Sequence, residues 1–120
     1  MIRRVFPNDD PGGFSELPGH PFRMANRGVV GELETSMRRL GYTGDAVVSV
    51  GKKKQIVDGR HRVLAAQRSG TKVKHINVTE EWYDMMVMSA PPVYSLHDIA
   101  QIARKNVREG KEGWVEVKDA

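Results

Sequence analysis

Five consecutive residues, Asp58-Gly59-Arg60-His61-Arg62, bring together the side chains of this chain best suited to chemistry. They follow the apolar pair Ile56-Val57 and lead into Val63-Leu64-Ala65-Ala66. The spacing predicts a strand ending in Asp-Gly and a helix that starts at once. Three cationic or titratable side chains then fall in the first helical turn, where the backbone already carries positive partial charge; like charges there cost up to about 1 kcal/mol unless an anion sits among them. Gly59 removes the side chain where a ligand would approach the backbone. Amide N–H groups at the helix start would meet an oxyanion, with Arg60 or Arg62 forking onto it, and phosphate is the natural occupant. The plainer reading of the same residues leaves Arg60 and Arg62 solvated and has Asp58 cap the helix.

The surroundings favour an anion. Between Gly51 and His75 stand Lys52, Lys53, Lys54, Arg60, Arg62, Arg68, Lys72 and Lys74 against one acid, Asp58, an excess larger than the net charge of +4 on the whole chain. Lys52, Lys53, Lys54, Lys72 and Lys74 are therefore candidate contacts to a nucleic-acid backbone, although Lys52–Lys54 also read as a solvated hairpin tip. With 120 residues, 39% hydrophobic and 28% charged, the composition is that of one ordinary globular domain. There are no cysteines, which removes disulfides, zinc–thiolate sites, iron–sulfur clusters and thiol nucleophiles. Neither zinc nor haem is expected. No apolar run is long enough to span a bilayer, and Arg3-Arg4 are not followed by the apolar stretch of a secretory signal, so a cytoplasmic location without membrane partners is expected.

The elements that must hold the five residues are legible in outline. Residues 1–26 are rich in Pro, Gly, Asn and Asp and read as an irregular arm with Phe6, Phe14, Leu17, Phe22 and Met24 as apolar anchors; residues 27–120 read as one domain with a C-terminal helical extension. Val30, Leu33, Met37 and Leu40 mark one face of a helix that Gly41 stops. Residues 46–50 and 54–57 read as a hairpin, Arg62–Arg68 as a helix stopped by Ser69-Gly70, and Val73–Val78 as a third strand. Thr79 caps a helix carrying Trp82, Met85, Met86 and Met88, the methionines expected in the core, and Pro91-Pro92 ends it. Ser95 caps another helix with Leu96, Ile99, Ala100, Ala103 and Val107 on one side; Gly110 and Gly113 end it before an edge strand at Trp114–Val117. His20 reads as structural, and His75 and His97 as surface residues at no metal-ligand spacing. Trp82 and Trp114 read as packing residues. The order predicts an α+β fold with a small mixed sheet and flanking helices.

These residues, in this order, resemble the N-terminal domain of ParB-like proteins, which share a fold with sulfiredoxin. His20-Pro21-Phe22 resembles the family's opening motif. Glu32-Leu33 with Ser36-Met37 and Gly41 resembles its first box, Ala46-Val47-Val48 the following strand, and Asp58-Gly59-Arg60-His61-Arg62 with Ala65-Ala66 and Gly70 its second box. The match runs from His20 to Val78, about half of the chain. The resemblance implies a ParB/sulfiredoxin-like fold whose second box binds the phosphates of a nucleotide such as ATP, ADP or CTP with Mg²⁺, or a nucleic-acid end. It implies activities among nucleotide hydrolysis, phosphoryl transfer to a small molecule and nuclease action. Where partition proteins carry Gly-Glu-Arg-Arg, this chain has Arg60 and His61 in place of the glutamate and first arginine, a form closer to the Asp-Gly-His-His-Arg of the kinase branch. The absence of cysteine excludes sulfiredoxin chemistry.

On this reading Gly59, Arg60, His61 and Arg62 bind phosphate. Asp58 serves as base or Mg²⁺ ligand, or caps the helix. His61 contacts phosphate or shuttles a proton. Glu32 either reaches the site as a further acid or is a plain first-turn carboxylate. About forty residues follow the match, too few for the helix-turn-helix and dimerisation domains of a partition protein. A small stand-alone member from a phage, plasmid or other mobile element is expected, in a bacterial or phage-infected cell. Its partners would be a nucleotide or DNA, and a second copy or another protein. The alternatives are a non-catalytic DNA-binding or regulatory module, and a protein-binding adaptor using the methionine-rich helix.

Overall fold

Local capping chemistry fixes most element boundaries. Asn26 accepts a hydrogen bond from the Val29 amide and opens α1 (Arg27–Leu40), which Gly41 closes at φ +77°. The strands β2 (Val47–Val50) and β3 (Gln55–Asp58) are joined by a tight turn in which Gly51 and Lys54 take positive φ. Then come α2 (Arg60–Ser69), closed by Gly70 in the left-handed region, and β4 (Val73–Val78). The Thr79 hydroxyl accepts from the Trp82 amide to start α3 (Glu80–Val87), and a reciprocal Ser95–Asp98 capping box starts α4 (Leu96–Arg108). The computed structural model describes residues 3–88, 94–109 and 115–117, with side chains for 9–88 and 94–109. Pro91-Pro92, Gly110, Gly113, Trp114 and the Phe6 side chain lie outside these. No helix among the described residues is long and apolar enough to cross a membrane.

The fold is mixed α+β, as expected, but the N-terminal residues are not an irregular arm throughout. Arg3–Asp9 forms β1, antiparallel to β4, and Val115–Val117 forms β5, parallel to β1. The five strands lie in the order β3-β2-β4-β1-β5. Pro7 falls where the β1–β4 register shifts, between Phe6 and Asp9. A proline has no N–H to give a ladder and is tolerated at such an irregularity, so Pro7 masked the strand in the sequence.

Alternation along the central strands divides the core between the two sheet faces. Val47, Ile56 and Val73 meet Val30, Met37, Val63 and Ala66 from α1 and α2. Val48, Val50, Val57, Ile76 and Val78 meet Trp82, Ile99, Ala100 and Ala103 from α3 and α4. After β1 the chain crosses from one face to the other as a strap. Pro11–Gly13 lies against α2, where the Gln67 side chain donates to the Pro11 carbonyl at 2.9 Å. Phe14 is buried on the α2 face, and Leu17 on the α4 face. Between them Ser15 bridges to the edge strand β3: its amide donates to the Lys54 carbonyl and its carbonyl accepts from the Ile56 amide, both at 3.0 Å.

Five side chains sit otherwise than expected. Leu40 and Met24 are exposed rather than core. Met85 and Met88 are 50% and 83% exposed, while Met86 packs partly against the core that holds Trp82. His75 is not a surface residue but fully buried. It sits on β4 between β1 and β2, where its Nδ1 lies 2.7 Å from Asp9 Oδ2 and its Nε2 2.5 Å from Ser49 Oγ. Burial lowers its pKa from 6.5 to about 4, against the pull of Asp9. Burial would raise the Asp9 pKa, but hydrogen bonds from His75 and Lys54 outweigh that and hold it below the usual value.

Both groups destabilise the fold in acid. His75 is depressed in the native state, so the stability of its neutral form is complete above pH 6.5 and is lost as the pH falls toward 4. The shift is worth about 3 kcal/mol. Asp9 adds a further loss below its unfolded value of 3.8. Urea unfolding from neutral to about pH 4 should show this decline in the wild type and a flatter one in His75→Gln; equal slopes would remove His75 as the source.

Candidate functional site

Asp58 ends β3 and Gly59 turns the chain into α2. Gly59 holds φ +110°, and a Cβ placed there would lie 3.1 to 3.3 Å from the side chain and Cα of Val47. Glycine is thus required twice over, by backbone conformation and by close approach to β2. It serves as the N-cap of α2 and no side chain caps that helix. The expectation that Asp58 caps it is therefore not met.

Asp58 has a different partner. Its carboxylate accepts from Arg104 Nη1 at 2.9 Å, with His97 Nδ1 at 3.5 Å. Arg104 reaches this point from α4 and is only 5% exposed. Its Nε and Nη2 both donate to the Ala46 carbonyl, at 2.9 and 2.7 Å, and Nη1 also donates to Gln101 at 2.8 Å. A buried guanidinium is tolerated only when its donors are satisfied and its charge is matched, and this one meets both conditions. It grips Ala46 and Asp58, the residues immediately before Val47 and Gly59, and so fixes the contact on which the helix start rests.

The first turn of α2 sends its side chains to three places. Arg60 Nη1 donates to the Pro21 carbonyl at 3.3 Å, while its Nε is buried without a hydrogen-bond partner. His61 Nε2 accepts from the Asn26 amide at 3.0 Å, so that nitrogen is committed to the start of α1. Burial lowers the His61 pKa, the charge of Arg60 lowers it further, and Asp58 opposes both. Arg62 Nε donates to the Thr43 carbonyl at 3.4 Å, and the guanidinium lies so close to Gly44 that a Cβ there would meet Nη2 at 2.6 Å. Tyr42 lies nearby, its pKa raised to about 12 because burial outweighs the opposing charges of Arg62 and Arg104.

A pocket of about 370 Å³ opens at this helix start. Gly59, Arg60, His61 and Arg62 line it with Asp58, although the three first-turn side chains are each directed to a different backbone partner. His20 from the strap, Val29 and Leu33 from α1 and Ile56 and Val57 from β3 form the rest of the wall. His20, which reads as structural in the sequence, borders the pocket. Glu32 is exposed on α1 and is not among the lining residues. Asp58 is the one carboxylate in the lining, and it is paired with Arg104; among the described residues no three His, Asp or Glu side chains converge as a metal site.

The candidate nucleic-acid lysines do not form one surface. Lys52 and Lys53 are exposed at the β2–β3 turn, the end of β3 opposite to Asp58. Lys54 pairs with Asp9 at 3.1 Å. Lys72 and Lys74 are exposed at the start of β4, which runs parallel to β2 and so begins at the Asp58 end of the sheet. Set against models of known protein families, curated proteins and solved structures, the chain matches none of them significantly.

Gly59→Ala should cost about 2 to 3 kcal/mol, from the positive φ together with the contact to Val47. Arg104→Met should cost about 2 kcal/mol by leaving Asp58 and the Ala46 carbonyl without their donors. Urea denaturation measures both; a cost under about 0.5 kcal/mol for either would mean that the turn relaxes freely.

Proposed function

We propose that this chain is a ParB-like domain that binds a phosphate-bearing ligand, a nucleotide or a nucleic-acid phosphate, at the start of α2. One observation carries the reading: an open pocket at an uncapped helix start, bordered by Arg60, His61 and Arg62, in which Arg60 Nε is buried with its hydrogen bond unmade. A buried donor left unsatisfied costs about 1 to 3 kcal/mol, and an oxyanion beside it would recover that energy. The same anion would offset the cluster of positive charge in the first turn. The resemblance of the second box to the family's phosphate-binding segment supports the same ligand.

The site favours binding over catalysis. A general base needs a free lone pair near the reacting proton. Asp58 is neutralised by Arg104, His61 Nε2 already accepts a bond, and Glu32 lies outside the pocket lining. The kinase-like, nuclease and nucleotide-hydrolysing activities that the resemblance implies would need a base or Mg²⁺ ligand supplied by the substrate complex. The separation of Lys52 and Lys53 from Lys72 and Lys74 favours a compact ligand over an extended nucleic-acid backbone.

A thermal-shift series with pyrophosphate, ATP and CTP, with and without Mg²⁺, tests the reading. A ligand present at about 100 times its Kd adds about 2.7 kcal/mol of stability, a rise of several degrees. Arg62→Ala should cost about 1 kcal/mol, remain folded and lose that rise. If none of these ligands moves the melting temperature, or if Arg62→Ala keeps the full shift, the proposed site is wrong. Binding that weakens as a steep power of salt concentration and ignores the base would instead identify a nucleic-acid backbone as the ligand.

A further inference from the structure

The buried polar chain on the other half of the α2 face has no part in the pocket. Asp9 at the end of β1, His75 on β4, Ser49 on β2 and Asn77 on β4 lie in sequence, at 2.7, 2.5 and 2.7 Å. Ser49 and His75 are wholly buried, so this is not an accessible nucleophile. Two features set it apart from an ordinary buried hydrogen bond. Ser49 has one hydroxyl proton and two acceptors in reach, His75 Nε2 and Asn77 Oδ1. Asp9 Oδ2 is shared by two donors, His75 Nδ1 and, at 3.1 Å, Lys54 Nζ.

We propose that this chain is a proton-operated latch on the N-terminal strap. With His75 neutral, Nδ1–H donates to Asp9, Nε2 accepts the Ser49 hydroxyl, and Lys54 holds the remaining charge of Asp9. When a proton from solvent adds to Nε2, the Ser49 hydroxyl turns to Asn77 and its oxygen accepts the new N–H. No bond to the ring is lost, so the imidazolium can form in place. Asp9 then faces two cations with one charge. Among the described residues, the charged groups that face His75 are Asp9 from β1 and Lys54 from the turn, and Ser49 and the edge of the Phe14 ring also contact it. Of the two cations Lys54 is the one able to leave, because its side chain is 30% exposed and that of His75 is not exposed at all.

Lys54 is also where the strap is fastened. Its carbonyl accepts from the Ser15 amide, the Lys53 carbonyl accepts from the Ser15 hydroxyl at 2.5 Å, and its ammonium lies 5.8 Å from the centre of the Phe14 ring. Release of Lys54 from Asp9 therefore loosens the crossing of the strap over β3. The strap goes on to supply His20 to the pocket wall and the Pro21 carbonyl that accepts from Arg60.

Hydrogen exchange resolved by residue tests the latch. Between about pH 7 and about pH 4.5, protection of the Ser15 and Ile56 amides, corrected for intrinsic rates, should fall about tenfold or more and by a larger factor than at Val63 in α2, whose fall reports the general loss of stability in acid. Lys54→Gln removes the contested cation, and His75→Gln removes the titrating group; each should abolish this excess fall. If His75→Gln does not fold, Lys54→Gln decides alone. The proposal is overturned if the wild type shows no selective loss, if Val63 falls in step with Ser15 and Ile56, or if Lys54→Gln keeps the wild-type response.

Discussion

A desolvated guanidinium holds the central region of this molecule together. Arg104 comes from the helix on one face of the sheet and spends four hydrogen bonds on Ala46, Asp58 and Gln101. Removing a charge of this kind from water costs several kcal/mol, so the arrangement persists only while each partner stays in place. That requirement fixes the end of β3 against the beginning of β2. Gly59 and Val47 are thereby pressed together, and α2 leaves the sheet in one direction. The pocket on the opposite face thus takes its shape from a residue that does not line it.

Polar burial recurs across β4, where Asp9 of β1, His75 of β4 and Ser49 of β2 join three strands. These two networks do what an apolar core cannot. Valines and alanines fill space on either face with little regard to register, whereas a hydrogen-bonded side chain has one correct neighbour. The sheet is small and three of its strands have four residues or fewer. Its register and the attachment of its first strand are specified by a few directed bonds.

What the sequence made legible was local. Gly41, Thr79 and Ser95 act on neighbours within four residues, and the helix ends they mark could be read directly, whereas the Asn26 cap of α1 was not. The Asp58–Arg62 grouping was legible for the same reason, since a glycine between a strand and a helix carries its own signal. The Asp9–His75 pair spans 66 positions and left no trace in any window. Strand β1 was hidden by Pro7, whose effect on a ladder depends on where the register shifts. Arg104 was missed although a signal existed: it falls on the apolar stripe of Ile99, Ala100, Ala103 and Val107. A lone cation on such a stripe calls for a buried acceptor, and Asp58 was available.

The Ser15 crossing has an effect on the sheet as an assembly template. An edge strand normally offers a row of unpaired backbone groups to any extended segment that drifts by. Here the chain's own strap occupies the start of β3 through the Lys54 carbonyl and the Ile56 amide and carries a hydrophobic anchor to each side. The β3 margin is thereby blunted against strand addition by a neighbouring molecule, without the closure of a barrel or the charge of an inward-pointing lysine. The segment that covers this margin, residues 10–26, is one that the composition alone would class as linker.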